Sequence, residues 1–246
     1  MTIVNKLGVS FNVNENKVAN NPGFWNLVST DMWEPNTFKV FKHFLNEENC
    51  MVDVGAWIGP TTLFGCKLSK YVYAIEPDRV ANQIINENLL LNPDIQNVNI
   101  FNNAISSYDG VTLMGNEHAE GNSMSSILFS NKNTWECKCF TLETFFKNND
   151  IKNCNFLKMD IEGGEALVLP NSVDFLKSFD HVLYISFHIP YFKKQTEDLT
   201  NIINALGEIY TYFYLENGDE WTLEMIGNQT SFFSIVASKT ELKTKW

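Results

Sequence analysis

Basic residues are scarce in this sequence, and their scarcity limits the partners that its surface can bind. The 246 residues include 18 Lys and Arg against 29 Asp and Glu, which gives a formal net charge of −11. Such a surface repels the phosphates of nucleic acids and of anionic membranes. We therefore expect a small-molecule or glycan partner and no nucleic acid.

Long apolar runs are lacking as well. No run approaches the roughly 20 apolar residues that a membrane-spanning helix needs, so no membrane span is expected. The N-terminal stretch MTIVNKLGVSFNVNENK lacks the charged and apolar regions of a secretory signal. This pattern favours a cytoplasmic location.

Cysteine is too sparse and too scattered for a disulfide framework. Cys137-Lys-Cys139 is a close pair without a second pair among the five cysteines. No histidine lies at a spacing that would complete a zinc site. We interpret the five as reduced thiols in core or strand positions.

Strand and helix patterns alternate along most of the chain, which predicts a doubly wound α/β sheet in a single domain of residues 1–246. Several strand patterns are near-continuous apolar runs, as in parallel strands that are buried on both faces. The last two strands are joined by a polar loop, and this short connection favours an antiparallel hairpin. The predicted strands are 50–54, 71–76, 98–105, 155–161, 181–188, 208–215 and 231–238, with the polar loop at 216–230. One predicted helix begins at Pro60, and three others cover 79–91, 141–147 and 196–206.

Two segments fit this alternation poorly. Residues 1–48 precede the first core strand, and residues 107–133 are rich in Gly, Ser and Asn. Long irregular segments in a compact domain are usually functional or mobile. We expect residues 1–48 to form an N-terminal cap and residues 107–133 an acceptor-side loop, and both to form walls of a ligand pocket.

The stretch MVDVGAWIG at 51–59 places a glycine turn directly after the first strand. Its pattern is Asp53-x-Gly55-x-x-x-Gly59, and Trp57 stands where a dinucleotide-binding turn needs glycine. The acid before the turn suits a cationic or zwitterionic ligand better than a pyrophosphate. Glu76 ends the second strand, 23 residues past Asp53, where an acid can hydrogen-bond the hydroxyls of a ribose.

These motifs resemble a known family. VDVGAWIG followed by AIEPD is similar to the first motif and acidic partner of class I S-adenosylmethionine-dependent methyltransferases. Four further stretches resemble the FkbM family within that class: WEP at 33–35, NAIS at 103–106, TLE at 141–143 and LKMDIEGGEALVL at 157–169. The resemblance implies a Rossmann-like, seven-stranded, mostly parallel sheet with a terminal antiparallel hairpin. It also implies methyl transfer from S-adenosylmethionine to an oxygen, often a hydroxyl of a sugar, glycan or polyketide.

The resemblance also implies which residues bind the cofactor. The turn after the first strand would flank the methionine part, Glu76 would hold the ribose, and the residues after the third strand would lie near adenine. The N-terminal segment would reach back to the cofactor, and the end of the fourth strand would lie beside the methyl group. The implied cofactor-binding residues are Glu34, Thr37, Asp53, Gly55, Ala56, Gly59, Glu76, Asn103, Ala104 and Asp160.

Two residues are candidates for the chemistry. A hydroxyl acceptor must lose its proton as the new bond forms, and a histidine of ordinary pKa near 6.5 suits that task at neutral pH. His188 ends the fifth strand, and Asp160, at the end of the fourth, would orient it. A divalent metal bound by Asp160, Glu162 and His188 is a less favoured alternative.

The other histidines and the aromatic residues carry less information. His118 lies in the 107–133 segment and is a lesser candidate for the base, whereas two other histidines are interpreted as structural. Several aromatic residues could stack on a sugar or on adenine, or belong to the core. The histidines interpreted as structural are His43 and His181, and the aromatic residues are Trp25, Trp33, Trp57 and Tyr191.

Other functions stay open at this point. The acceptor could be a lipid-like or polyketide hydroxyl, or an amine. The protein could also bind the cofactor without turnover, as a scaffold for a neighbouring enzyme. A dehydrogenase is disfavoured by Trp57, because a pyrophosphate needs a small residue there.

Overall fold

The computed structural model of the protein describes residues 1–15, 23–116, 118, 120–129, 133–242 and 246. The described strands are β1 (Thr2–Lys6), β2 (Val9–Val13), β3 (Cys50–Val54), β4 (Tyr71–Ile75), β5 (Val98–Phe101), β6 (Ala104–Ile105), β7 (Gly110–Met114), β8 (Trp135–Phe140), β9 (Phe156–Met159), β10 (Val182–His188), β11 (Tyr212–Leu215), β12 (Glu220–Trp221) and β13 (Phe232–Ser238). The described helices are α1 (Phe24–Ser29), α2 (Pro35–Phe44), α3 (Pro60–Cys66), α4 (Arg79–Leu90), α5 (Leu142–Asn148), α6 (Glu165–Val168), α7 (Val173–Lys177), α8 (Gln195–Ile209) and α9 (Leu223–Gly227).

A mostly parallel sheet forms the centre of the molecule. Its strand order is β12-β11-β13-β10-β9-β3-β4-β5. Neighbouring strands from β10 to β5 run parallel, whereas β13 runs antiparallel to both β10 and β11. The predicted Rossmann-like sheet with a terminal antiparallel hairpin is confirmed, and the two-residue β12 adds one short edge strand to the seven predicted strands.

Helices cover both faces of this sheet, which explains why its central strands are nearly uniformly apolar. On one face, Phe38 and Phe41 of α2 and Phe64 of α3 are fully buried. On the other face, Phe145 of α5 and Ile202 of α8 are fully buried. Burial of one such side chain contributes about 1.5–3 kcal/mol, so the two apolar layers fix the positions of the strand ends that carry polar residues.

Capping residues define where some of these helices begin. The side chain of Asp78 accepts hydrogen bonds from the N–H groups of Val80 and Ala81 at the start of α4, at 2.9 and 3.1 Å. Thr141 accepts one from the N–H of Thr144 at the start of α5. Such caps satisfy backbone donors that the helix leaves free, so the predicted starts of these two helices agree with the structure.

Three predicted element boundaries are wrong. The strand predicted at 208–215 begins only at Tyr212, because α8 continues to Ile209 and keeps Leu206 and Ile209 on its buried face. The strand predicted at 98–105 divides into β5 and β6, which belong to different sheets. The polar loop predicted at 216–230 contains β12 and α9.

The two segments that disrupt the alternation contain regular structure. The predicted irregular stretch 107–133 includes β7, which pairs antiparallel with β8, while β6 pairs parallel with β8. Residues 1–48 include the β1–β2 hairpin, α1 and α2. The roles of cap and acceptor-side loop remain predictions.

The structure also defines the state of the cysteines and the lengths of the helices. All five cysteines are free thiols, and four of them are buried, as predicted. No helix within the described residues has the length and apolar composition needed to span a lipid bilayer.

Candidate active site

A cavity of about 360 Å³ lies beyond the carboxyl ends of the central strands. The chain leaves β3 toward β4 on one side, whereas β9 lies on the other side, so the connecting loops diverge and leave a crevice. The backbone of Gly55 and Ala56, the carboxyl groups of Glu76 and Asp160 and the imidazole of His188 all open onto this cavity.

The turn after β3 forms one wall of the cavity and requires glycine at position 55. Gly55 has φ +85°, and a Cβ at this position would lie 1.8 Å from the carbonyl oxygen of Asp160. The N–H groups of Gly55 and Ala56 donate to the carbonyl oxygen of Ile75, at 3.0 and 3.1 Å. Gly59, with φ +92°, precedes the first residue of α3 and packs against α4 outside the cavity lining.

Asp53 lies behind the cavity wall, which differs from the predicted contact with the cofactor. Its buried carboxylate accepts hydrogen bonds from the hydroxyls of Thr61 and Thr62, at 3.0 and 2.7 Å. Lys158 Nζ lies 2.9 Å from its other oxygen and donates to the carbonyl oxygen of Gly55 at 2.7 Å. Asp53 therefore holds α3 and Lys158 in place, and its influence on the cavity passes through them.

Glu76 is the buried acid at the end of β4. Its two carboxylate oxygens accept hydrogen bonds from the N–H groups of Trp57 and Asp78, each at 2.7 Å. Burial raises the pKa of Glu76 to about 8, although these two hydrogen bonds oppose the change. Asp78 in turn accepts hydrogen bonds from the Gly121 N–H and the Ser125 hydroxyl, which anchors that part of the chain beside the cavity.

The residues after β5 lie where a flat ring could bind. Asn103 and Ala104 line the cavity, as predicted for the adenine side, and Ile105 and Met114 add apolar surface. Residues of the 107–133 segment complete this part of the wall, and sequence reasoning identified none of them individually. They are Asn122, Ser123, Ser125 and Ile127.

The N-terminal segment reaches the opposite part of the cavity through Glu34. Glu34 is exposed at the mouth of the cavity, and the protein around its carboxyl group, together with the charge of Asp160, raises its pKa to about 7. Thr37 lies behind it, with its hydroxyl 2.8 Å from the Tyr184 hydroxyl and 3.0 Å from a Glu216 carboxylate oxygen. Thr37 therefore supports the wall and does not line it.

Two charged residues of the cavity were not predicted as site residues. Glu216 follows β11, and its carboxylate accepts a hydrogen bond from the Tyr184 hydroxyl at 2.6 Å. Lys158 is a buried lysine within the apolar strand β9, and this unusual position was the signal in the sequence that could have identified it. Nothing in the local sequence marks Glu216, which depends on the terminal hairpin for its place.

Four side chains meet at the far end of the cavity, after β9 and β10. His188 Nε2 lies 3.5 Å from Asp160 Oδ1 and 3.5 Å from Glu162 Oε2. On its other side, His188 Nδ1 lies 3.1 Å from Glu165 Oε1. The structure thus brings together the predicted pair Asp160 and His188 with Glu162, the third residue of the less favoured metal alternative, and adds Glu165.

This environment changes the predicted chemistry of His188. Burial lowers the pKa of His188, but the negative charges of Glu165, Asp160 and Glu162 outweigh it and raise that pKa to about 10. Burial also raises the pKa of Glu162 to about 8. The expectation of an ordinary histidine pKa near 6.5 is therefore wrong, because the sequence did not show that three carboxyl groups surround the ring.

Aromatic rings pack beside this cluster. The ring of Tyr191 stacks on that of His188, with centroids 6.0 Å apart and planes within 7°. Phe232 contacts both rings, and Phe232 and Phe233 line the cavity. Phe232 is 53% exposed, so an apolar face is available to a ligand at this end.

The remaining aromatic and histidine candidates divide into residues that line the cavity and residues that do not. Trp33 and Trp57 line the cavity, whereas Trp25 is fully buried in the core. The lesser candidate His118 is exposed and is not among the residues that line the cavity. His181 is buried against Tyr210, as expected of a structural histidine, and the exposed His43 packs against Trp246.

Most of the charged side chains on the described part of the cavity wall are acidic. Five carboxyl groups face two basic side chains, Lys158 and His188. The raised pKa values of Glu34, Glu76 and Glu162 show that the charged forms of these acids are disfavoured here, so a ligand that carries positive charge would stabilise them. The five acids are Glu34, Glu76, Asp160, Glu162 and Glu216.

Fold and cavity together define a class I methyltransferase, with a ligand crevice at the carboxyl edge of a parallel sheet. A family model described as the methyltransferase FkbM domain matches residues 53–219. The match covers more than half of the chain, and the protein belongs to the FkbM methyltransferase family. The family predicted from the sequence motifs is confirmed.

Several solved structures are similar to this chain at low identity. Methyltransferase FkbM from Methylobacillus flagellatus KT is 16% identical with a TM-score of 0.50, over 91% of this chain and 56% of that one. A Streptococcus mutans protein in complex with SAH is 13% identical with a TM-score of 0.46, over 82% of this chain and 95% of that one. M. jannaschii TYW2 in complex with AdoMet is 18% identical with a TM-score of 0.47, over 96% of this chain and 84% of that one.

The lengths of these proteins differ from that of the present chain. This chain spans just over half of the Methylobacillus protein. No curated protein matches it.

Proposed function

We propose that the protein transfers the methyl group of S-adenosylmethionine to a hydroxyl of a sugar or glycan precursor. S-adenosylmethionine is the methyl donor that membership of the family implies. The observation that supports the proposal is that Glu76, suited to a ribose, and Asp160 with His188, suited to an acceptor, open onto one cavity.

The cofactor would lie along the turn after β3. Gly55 and Ala56 present backbone without bulk, Glu76 accepts hydrogen bonds from the ribose hydroxyls, and Asn103 and Ala104 border the adenine. Glu34 and Glu216 supply negative charge for the ammonium group of the methionine part. The excess of acids around the cavity supports this placement, because the sulfonium and the ammonium are both cations.

Methyl transfer is an in-line displacement at the methyl carbon. The new bond to the acceptor oxygen forms as the carbon–sulfur bond breaks, and the electron pair stays on sulfur to give a neutral thioether. Holding the two reactants in line contributes about 7–11 kcal/mol to the lowering of the barrier. The proton of the acceptor passes to the carboxylate of Asp160, and His188, 3.5 Å away, orients that carboxylate and balances its charge.

The lining at the acceptor end supports a sugar. Phe232 and Phe233 offer apolar faces to the carbon-bound hydrogens of a ring, and Ser186 and Ser234 offer hydroxyls. A lipid-like or polyketide hydroxyl needs a more apolar channel than this mixture of acids and serines provides. The absence of nucleic-acid partners and the cytoplasmic location remain predictions from charge and sequence.

Two measurements test the proposal. Calorimetry should show one S-adenosylhomocysteine bound per chain, since this product shares every cofactor contact except the methyl group. Purified protein should then transfer labelled methyl from S-adenosylmethionine to at least one member of a panel of free sugars and nucleotide sugars.

Other results on a wider panel would contradict the proposal. Methylation of long-chain alcohols or amines, but of no sugar, would favour those acceptors over a sugar. Tight cofactor binding without methylation of any acceptor would support a cofactor-binding scaffold. Failure to bind S-adenosylhomocysteine would contradict both the methyltransferase and the cofactor-binding scaffold.

A further inference from the structure

The side chains at the end of β9 and β10 are arranged as ligands of a metal ion. Asp160, Glu162 and His188 each offer one ligand atom, and these three atoms lie within 4.8 Å of one another. All three residues line the cavity, so the space between them is continuous with it. We propose that Asp160, Glu162 and His188 bind one divalent transition-metal ion at the acceptor end of the cavity.

The first argument is distance. Two ligand atoms that are each about 2.1 Å from one ion lie about 3.0 Å apart at a right angle and about 3.4 Å apart at the tetrahedral angle. His188 Nε2 lies 3.5 Å from an oxygen of Asp160 and 3.5 Å from an oxygen of Glu162. These separations exceed the usual 2.7–3.2 Å of an N–H···O hydrogen bond, but they match two ligands that share an ion.

The second argument is the orientation of the imidazole. Nδ1 of His188 faces Oε1 of Glu165 at 3.1 Å, and Glu165 is fully buried. A metal-binding histidine commonly donates its other ring N–H to a carboxylate, which fixes the tautomer and directs the free nitrogen at the ion. His188 is 9% exposed, and its Nε2 faces the carboxylates of Asp160 and Glu162, each at 3.5 Å. A metal ion between them would take the place of the proton that Nε2 carries.

Hydrogen bonds fix the backbone that carries the two carboxylates. Ser126 donates a hydrogen bond to the carbonyl oxygen of Glu162 at 2.7 Å, and Glu165 accepts one from the Ile161 N–H at 2.9 Å. Lys158 Nζ lies 3.8 Å from Oδ2 of Asp160, which leaves Oδ1 directed at His188. The arrangement therefore does not depend on flexible side chains alone.

The donor atoms indicate the class of ion. One imidazole nitrogen with two carboxylate oxygens suits Mn²⁺, Fe²⁺, Co²⁺ or Zn²⁺, whereas Ca²⁺ prefers six to eight oxygen ligands. Three protein ligands leave one or more positions of such an ion open toward the cavity. A role for the ion in the reaction rests on the proposed function: an acceptor hydroxyl bound at an open position would lose its proton more readily.

Binding of Mn²⁺ tests the site without cofactor or acceptor. Untagged protein is treated with EDTA, exchanged into chelator-free buffer and titrated with Mn²⁺, with free Mn²⁺ followed by electron paramagnetic resonance. We expect one Mn²⁺ per chain, and we expect Asp160→Asn, Glu162→Gln and His188→Gln each to weaken binding at least 10-fold. Glu165→Gln, which changes the partner of the histidine, should weaken it roughly 10- to 100-fold.

Matched substitutions elsewhere serve as controls. Asp174→Asn, Glu136→Gln and His118→Gln change exposed residues of the same types and should leave Mn²⁺ affinity unchanged. Binding that is absent, or that is equally strong in the three ligand variants, overturns the proposal. If a ligand variant fails to fold, pulsed resonance on the unaltered protein decides, because a histidine ligand gives a nitrogen coupling to Mn²⁺ and its absence overturns the site.

The methylation assay separates this proposal from the proposed function. Stoichiometric Mn²⁺ binding without methylation supports the metal site and counts against the function. Methylation of a sugar without any Mn²⁺ binding supports the function and overturns the site. If both hold, EDTA should lower the methylation rate at least 10-fold and Mn²⁺ should restore it, and a rate unaffected by EDTA overturns the role of the ion.

Discussion

Gly55 lies directly against the backbone of Asp160, the residue that follows the neighbouring strand β9. A Cβ at position 55 would lie 1.8 Å from the Asp160 carbonyl oxygen and 2.8 Å from its carbonyl carbon. The turn after β3 and the end of the cavity that contains Asp160 are therefore in contact through main-chain atoms. A change on either side of this contact should affect both.

Substitution Gly55→Ala should destabilise the protein and weaken cofactor binding. The new Cβ meets backbone atoms that cannot rotate away, and alanine is strained at φ +85°. We expect the free energy of unfolding, measured by urea denaturation, to fall by about 3 kcal/mol or more. The Kd for S-adenosylhomocysteine, measured by calorimetry, should rise.

Gly23→Ala is the matched control for the strain. Gly23 has φ +87°, and no atom of the described residues lies within 4 Å of a Cβ at that position. Gly23→Ala should lower the free energy of unfolding by about 1–2 kcal/mol, from the strained backbone conformation alone. Equal losses in the two variants would show that the contact with Asp160 is not tight.

Glu76→Ala should weaken S-adenosylhomocysteine binding by roughly 10- to 100-fold. Each hydrogen bond to this group contributes about 0.5–1.5 kcal/mol, and the variant removes the carboxyl group that would receive both ribose hydroxyls. Glu76→Gln should also weaken binding, because both oxygens accept backbone N–H groups and an amide can satisfy only one of them. Calorimetry with Glu136→Ala as an exposed control checks this, and an unchanged Kd in Glu76→Ala would contradict the ribose contact.

The sequence predicted the elements whose signal is local. The apolar run of β3, the cap at Asp78 and the glycine turn each have a pattern of a few neighbouring residues, and the structure contains all three. The end of α8 was predicted too early, because Gly207 directly after Leu206 is a typical local stop signal, yet the helix continues through it and buries Ile209.

Side-chain roles were harder to predict than positions. Asp53 precedes the turn as expected, but it points at α3 and Lys158, which no spacing along the chain could show. The altered pKa of His188 comes from carboxyl groups 23 to 28 residues away in the chain. Contacts of this kind exist only after the sheet has formed, so they lie outside what sequence patterns report.

The ion pair between Lys158 and Asp53 should be required for stability even though it lies next to the cavity. Both side chains are almost fully buried, so Lys158→Met leaves the Asp53 carboxylate without its counter-charge. Removing one partner of a buried pair costs about 3–5 kcal/mol, and we expect a loss of that order in urea denaturation.

The double variant Lys158→Met/Asp53→Asn checks the cause. The asparagine carries no charge, and its oxygen can still accept hydrogen bonds from the hydroxyls of Thr61 and Thr62. The double variant should be more stable than Lys158→Met alone. Additive losses in the two single variants would mean that the residues do not interact.

The buried His181 should make the protein less stable as the pH falls below about 6.5. Burial lowers the pKa of His181 to about 4 in the folded protein, whereas the unfolded chain keeps the ordinary value near 6.5. The unfolded state therefore takes up a proton first, and stability falls between pH 6.5 and pH 4 and then levels off. At pH 5 the loss is about 2 kcal/mol relative to pH 7. Urea denaturation at both pH values checks this, and His181→Gln should remove this part of the pH dependence, whereas the exposed-site variant His118→Gln should retain it. An equal pH dependence in His181→Gln and the unaltered protein would show that His181 is not the group responsible.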